Sequence, residues 1–177
     1  MSTGKRSAGL LLFRVMDTAN GPDAEVLLGH MGGPFWARRE EAAWSVPKGE
    51  YTADEEPEAA ARREFTEELG LPLPEGVWVP LGEVRQAGGK TVTVWAVEGE
   101  VDPGRAVPGT FTMEWPRGSG VQKEFPEMDR FAWCTPAEAA ERLVVGQRAF
   151  LDRLRSHLRG EDTPPAQGLS SGPGRTP

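Results

Sequence analysis

Apolar residues fall first into two strand-length runs, Ser7 to Val15 (SAGLLLFRV) and Ala24 to His30 (AEVLLGH), parted by Asn20-Gly21-Pro22-Asp23. Turn residues between two such runs predict an antiparallel hairpin. The pattern then lapses through a loop rich in Gly, Trp and Arg, residues 31–42, and a short segment, Ala43 to Val46, that ends at Pro47-Lys48-Gly49. From Pro57 to Leu69 helix formers take over. Ala61, Phe65 and Leu69 make an apolar stripe at a spacing of four, Pro57 suits the first turn, and Gly70 stands just past the end. These features predict a helix with one buried seam.

Val77 to Gln86 and Thr91 to Val97 are rich in β-branched and aromatic residues on either side of Ala87-Gly88-Gly89-Lys90, which predicts a second hairpin. Residues 102–126 read as a long loop punctuated by Gly and Pro, of the kind that is functional or mobile. Phe131 to Cys134 resumes as a strand. Thr135-Pro136-Ala137-Glu138 then opens a helix to about Val145, and a further helix runs from Gln147 to Leu158. The stretch from Gly160 to Pro177 has almost no large apolar residue and predicts a disordered tail, leaving residues 1–159 as one domain. Strands, a helix, more strands and then helices point to an α+β or α/β layering in which helices cover a mixed sheet.

A length of 177 residues suits one soluble domain with a proper core. No run approaches the roughly 20 apolar residues of a membrane span, and no cleavage pattern follows the start, so a cytoplasmic protein without a membrane partner is expected. The lone cysteine, Cys134, excludes an intramolecular disulfide and a cysteine-rich zinc site, and reads as a small buried strand residue rather than a nucleophile. A net charge of −7 argues against a nucleic-acid polymer as partner and suits a cation site. The two histidines, His30 and His157, are too far apart for a metal cluster and read as surface or strand-end residues.

The chemistry concentrates between Gly49 and Leu71, GEYTADEEPEAAARREFTEELGL. Glu64, Glu67 and Glu68 stand at i, i+3 and i+4 of the expected helix, which places three carboxylates on one face. Their repulsion calls for a positive partner. Arg63 can neutralise one of them, but oxygen donors at this density are what a hard cation such as Mg²⁺ requires. An ordinary solvated acidic helix face is the plainer alternative for three glutamates taken alone.

The wider spacing decides between the two. Gly49, five residues, Glu55, seven residues, Arg63-Glu64, apolar Phe65, one residue, Glu67-Glu68, one residue, Gly70 and apolar Leu71 reproduce the Nudix box without a departure. The box covers 23 of the 177 residues, and the order of elements from about Ser7 to Leu158 also resembles a Nudix domain. The resemblance implies an α/β/α sandwich in which the box forms a loop, helix and loop. It implies that Glu64, Glu67 and Glu68 bind metal with help from the Gly49 carbonyl, and that Glu55 and Arg63 orient Glu64. Many members recruit a further glutamate about six residues before a late tryptophan, a place that Glu127 holds relative to Trp133. Lys48 is a candidate for a phosphate oxygen, as is Arg85 near the second hairpin; Lys90 is weighed with it.

The resemblance further implies a Mg²⁺-dependent hydrolase, with Mn²⁺ able to substitute, acting on a nucleoside diphosphate linked to another moiety. Glu127 or a helix glutamate takes the proton from water. Nucleoside or dinucleoside polyphosphates are the first expectation for the substrate, ahead of ADP-ribose or another sugar nucleotide. A non-catalytic binding module of this fold usually lacks a box glutamate, and this box is complete. An isopentenyl diphosphate isomerase needs a catalytic cysteine, for which Cys134 is badly placed. Trp36, Trp44, Trp95 and Trp115 are each candidates for stacking on a base. Oligomeric state is left open between monomer and homodimer.

Overall fold

The computed structural model describes residues 4–161, so the expected tail lies outside the described residues from position 162 onward. Strands β1 (Arg6–Thr18) and β2 (Gly21–Met31) form the predicted hairpin, paired from Phe13↔Val26 to Thr18↔Gly21. Both extend beyond the apolar runs: Met16-Asp17-Thr18 is mostly exposed, and the half-buried Gly21-Pro22-Asp23 is made of turn-type residues, so neither carries a strand signal.

Beyond Phe13 the two strands part, and short strands occupy the gap. β3 (Trp44–Ser45) pairs with the far end of β2, and β4 (Lys48–Glu50) pairs with the first residues of β1. On its other edge β1 runs parallel to β6 (Thr91–Glu98), which pairs in turn with β5 (Val79–Arg85). The free edge of β2 takes β9 (Met128–Cys134), three residues longer than the expected strand. The result is one seven-stranded mixed sheet with β4 wedged beside β1.

Alternation along β1 writes the layers. Leu10 and Leu12 face helix α1 (Pro57–Leu69) and pack with Phe65 and Leu69, while Leu11 and Phe13 face the opposite side. There they meet Leu143 and the helix α3 (Ala149–Leu158), through Phe150 and Leu154. The helix α2 (Pro136–Arg142) opens at Thr135 as expected, and Thr135 and Glu138 complete a capping box there. It ends three residues earlier than expected, because Leu143 is extended and the chain around Gly146 forms a 3₁₀ turn. Helices on both faces of the sheet make the α/β/α sandwich.

Two expectations need correction. Residues 102–126 are not irregular throughout: β7 (Thr110–Glu114) and β8 (Gln122–Pro126) form a separate antiparallel hairpin. His30 lies near the end of β2, yet it is buried rather than on the surface. Its Nδ1 stands 2.8 Å from Asp129 Oδ1 and its Nε2 2.6 Å from the Arg39 carbonyl, so it ties the 31–42 loop to β9. Cys134 is the buried strand residue expected of it, with Arg142 against its sulfur. Among the described residues no helix is long and apolar enough to cross a membrane.

Candidate active site

The segment Ser45 to Glu50 fills the gap between β1 and β2, with Leu10 N–H donating to the Pro47 carbonyl and Tyr51 N–H to the Arg6 carbonyl. The buried Gln147 holds its entry: Val46 N–H donates to Gln147 Oε1, and Gln147 Nε2 to Ser45 Oγ. Gly49 is thereby pressed against α1 so closely that a Cβ on it would fall on the Glu64 carboxylate. Absence of a side chain is what allows the backbone to reach the acidic face.

Pro57 starts α1 and Gly70, in the left-handed conformation, stops it with its N–H donating to the Thr66 carbonyl at 2.8 Å. Because the helix buries Ala61, Phe65 and Leu69, Glu64 and Glu68 on the adjoining flank are carried inward to 8% and 5% exposure. Glu67 stays exposed. This departs from a solvated acidic face, since two of the three glutamates have lost most of their water.

Arg63 binds the loop to the helix. Its Nε and Nη2 donate to Glu55 at 2.8 and 2.9 Å as a two-pronged fork, and its Nη1 donates to Glu64 at 2.7 Å and Glu67 at 3.2 Å. The fork holds the Glu55 carboxyl below the usual range and raises the Arg63 guanidinium in return. Burial nevertheless pushes the Glu64 carboxyl up, with Arg63 only partly offsetting it.

Glu68 is the most perturbed of the group. Burial, reinforced by the facing Glu127 carboxyl and by Glu64, pushes its pKa up to about 9. Its Oε2 is buried without a hydrogen-bond partner. Two carboxylates cannot bond to each other unless one holds a proton, so the Glu68–Glu127 approach offers a bond in the protonated state and repulsion in the ionised one. Glu127 is fixed at both sides through its backbone: its N–H donates to the Gly109 carbonyl, and its carbonyl accepts from Gly32 N–H, each at 2.9 Å.

Lys48, Gly49, Glu64, Glu67, Glu68 and Glu127 thus line one open cavity of about 510 Å³. Glu55 and Arg63 stand behind its acidic wall. Arg85, exposed at the end of β5, is not among the lining residues. Sequence reasoning did not anticipate Glu50, Ser45, Met31 and Met128 in the lining, nor the role of Gln147. Adjacency to Gly49 was the one clue to Glu50, and Gln147 carried none.

The donor set fits a hard divalent cation, since it is all oxygen, bears a surplus of negative charge and includes a buried oxygen that lacks any partner. Among the described residues no three acidic or histidine side chains already close on one point, with Glu64 and Glu67 drawn onto Arg63 instead. Four of the tryptophans were candidate base platforms. Trp44 is buried between Arg130 and Arg142, and Trp95 packs against Trp78. Trp36 packs on the core, whereas Trp115 meets the half-exposed Phe35 edge-on at 5.5 Å.

The NUDIX domain model matches residues 13–154. The RNA pyrophosphohydrolase of Hahella chejuensis is 45% identical over 58 residues, which span 32% of this chain and 35% of that protein. The chain therefore aligns with about a third of the length of that relative. Among solved structures, the C. elegans Ap4A hydrolase in a binary complex covers 88% of this chain and 98% of its own at 20% identity, with a TM-score of 0.59. The NUDIX domain of Shewanella oneidensis NrtR complexed with ADP ribose covers 89% and 90% at 15% identity, with a TM-score of 0.55. At these identities the two structures speak for the fold.

Proposed function

Since the chain belongs to the Nudix hydrolase family, we propose that it is a Mg²⁺-dependent pyrophosphohydrolase whose substrate is a nucleoside or dinucleoside polyphosphate. The observation that carries this reading is Glu68: a buried carboxyl with a partnerless oxygen, facing Glu127, in a wall of acids. Such a group destabilises the protein unless a cation or a proton joins it.

Glu64, Glu67 and Glu68, with the Gly49 carbonyl and Glu127, are the proposed metal ligands, and Mn²⁺ is expected to substitute. When bound, the cation supplies charge that offsets the phosphoryl oxygens and lowers the pKa of water. The remaining work falls to the chain. Arg63 holds Glu64 in place, and Glu55 holds Arg63. Glu127, at the mouth of the cavity and pinned by Gly109 and Gly32, is placed to accept the proton of the attacking water. Lys48 meets a non-bridging phosphate oxygen. The Phe35–Trp115 pair, with Phe35 half-exposed and the Arg117 guanidinium 5.0 Å from its ring, is the candidate platform for a base.

The C. elegans neighbour is an Ap4A hydrolase and the Hahella relative an RNA pyrophosphohydrolase, which supports the substrate class chosen. The test is a product assay over nucleoside triphosphates, diadenosine polyphosphates, ADP-ribose, NADH and diphosphoinositol polyphosphates, with Mg²⁺ and with excess EDTA. Cleavage confined to ADP-ribose would move the assignment to the sugar nucleotides. Turnover that survives EDTA would remove the metal from the reading.

A further inference from the structure

Glu50 follows Gly49 and lines the cavity, but no part of the box accounts for it. Its Oε1 carries two ammonium groups: Lys5 Nζ at 3.1 Å and Lys90 Nζ at 3.9 Å. Lys48, also in the lining, is within electrostatic reach of both Lys90 and Glu50.

Lys48 and Glu50 lie on β4, while Lys5 and Lys90 immediately precede β1 and β6, and the sheet brings them together. β6 and β1 run parallel with Arg6 opposite Thr91, which sets Lys5 and Lys90 side by side just ahead of the two strands. The Thr91 N–H donates to the Lys5 carbonyl at 3.0 Å, and the Gln86 N–H to the Lys90 carbonyl at 2.7 Å, so both backbones are fixed. β4 pairs antiparallel on the other edge of β1, with Ser7 opposite Glu50 and Gly9 opposite Lys48. Lys90, Lys5 and Glu50 therefore form a row across three adjacent strands at one end of the sheet.

Two lysines on the Glu50 carboxylate leave an excess of one positive charge at this rim, with Lys48 close by between Glu50 and the acidic wall of Glu64 and Glu68, in a chain whose net charge is −7. The ion pairs are solvent-exposed and contribute little to stability, so the fold gains little from gathering them. A row of ammonium groups at the rim of a phosphate-handling cavity has an electrostatic use instead.

We propose that Lys5, Lys48 and Lys90 form an anion subsite that takes a further phosphate group of the substrate, beyond the anhydride held at the acidic wall. Glu50 occupies the lysines until that phosphate displaces it. The subsite selects compounds with three or more contiguous phosphates over diphosphates that end in a sugar. The inference rests on the hydrolase reading for the position of the neighbouring bond, but not for the existence of the anion site.

Calorimetric titration of the full chain with inorganic tripolyphosphate and with pyrophosphate, in Ca²⁺ in place of Mg²⁺, tests it without requiring turnover. The wild-type chain should bind tripolyphosphate at least about 3-fold more tightly than pyrophosphate. Lys5→Gln/Lys90→Gln should erase that preference, Lys5→Arg/Lys90→Arg should keep it, and Glu50→Gln should widen it. Thermal melting of each variant controls for folding, which these exposed side chains should leave intact. Equal binding of the two anions, no binding of either, or a preference unmoved by the glutamine pair overturns the subsite. If the charge-dependent preference stands while no nucleotide in the panel is cleaved, the hydrolase reading fails and the anion site remains.

Discussion

Glu68 of α1 and Glu127, at the head of β9, face each other as two carboxyls, and burial first, with Glu127 and Glu64 adding to it, pushes Glu68 up to about 9. The folded metal-free protein therefore holds a proton that the unfolded chain, with an ordinary glutamate, releases above about pH 4.5. Stability from this group is fully present below that pH and drains away as pH rises towards 9, by up to about 1.4 kcal/mol per unit. Melts in EDTA should show Tm falling across this window, and Glu68→Gln should flatten the slope. Parallel slopes for the two proteins would show that the carboxyl pair is not its source.

Saturating Mg²⁺ should raise Tm most at the alkaline end of that window, because ionised Glu68 then has a partner. A metal-induced shift that is the same at pH 6 and pH 9 would place the cation elsewhere.

Activity and stability should separate along α1. Glu68→Gln removes a charged ligand at constant size, so turnover should fall by about 100-fold or more while the metal-free protein melts no lower. Phe65→Ala, three residues away on the buried seam at 0% exposure, should cost about 3–5 kcal/mol with turnover per folded molecule preserved. Denaturant melts paired with active-site titration measure both.

Arg63→Lys keeps the charge and loses the fork to Glu55. Metal affinity should weaken by about 10- to 100-fold, as expected when the support behind a ligand is lost. Mg²⁺ titration of activity reads this directly, and an unchanged Mg²⁺ midpoint would mean that the fork does not position Glu64.

Gly49→Ala should disturb the cavity more than its size suggests, since the added methyl falls on the Glu64 carboxylate. Loss of Mg²⁺-dependent activity with a near-normal melt is the expected outcome. Wild-type turnover in this variant would show that the close approach is not needed.

The helix and its acidic face were legible because they are local: a repeat of apolar residues, a first-turn proline, a terminal glycine and carboxylates one turn apart all lie within 23 residues. What escaped was set by distant partners. The β7–β8 hairpin stands off the main sheet with both faces at least partly exposed; Thr110–Glu114 does alternate polar and apolar residues, but it is only five residues long among Gly and Pro, and its partner Gln122–Pro126 carries no alternation to read. The burial of His30 at the end of β2 escaped because nothing near it in sequence announces Asp129. The lysine row is invisible in one dimension, since Lys5, Lys48 and Lys90 become neighbours only through the register of three strands.

The wedging of β4 against β1 also bears on how the cavity fluctuates. Lys48, Gly49 and Glu50 are hydrogen-bonded into the ladder beside Gly9, Ala8 and Ser7, and Ala8 belongs to the fully buried interior. To release that backbone the molecule must break a ladder on its central strand, rather than open a loop. Amide protons of the Lys48–Glu50 segment should accordingly exchange with solvent only through openings nearly as costly as global unfolding. Heat should then disable the cavity and the fold as one cooperative event.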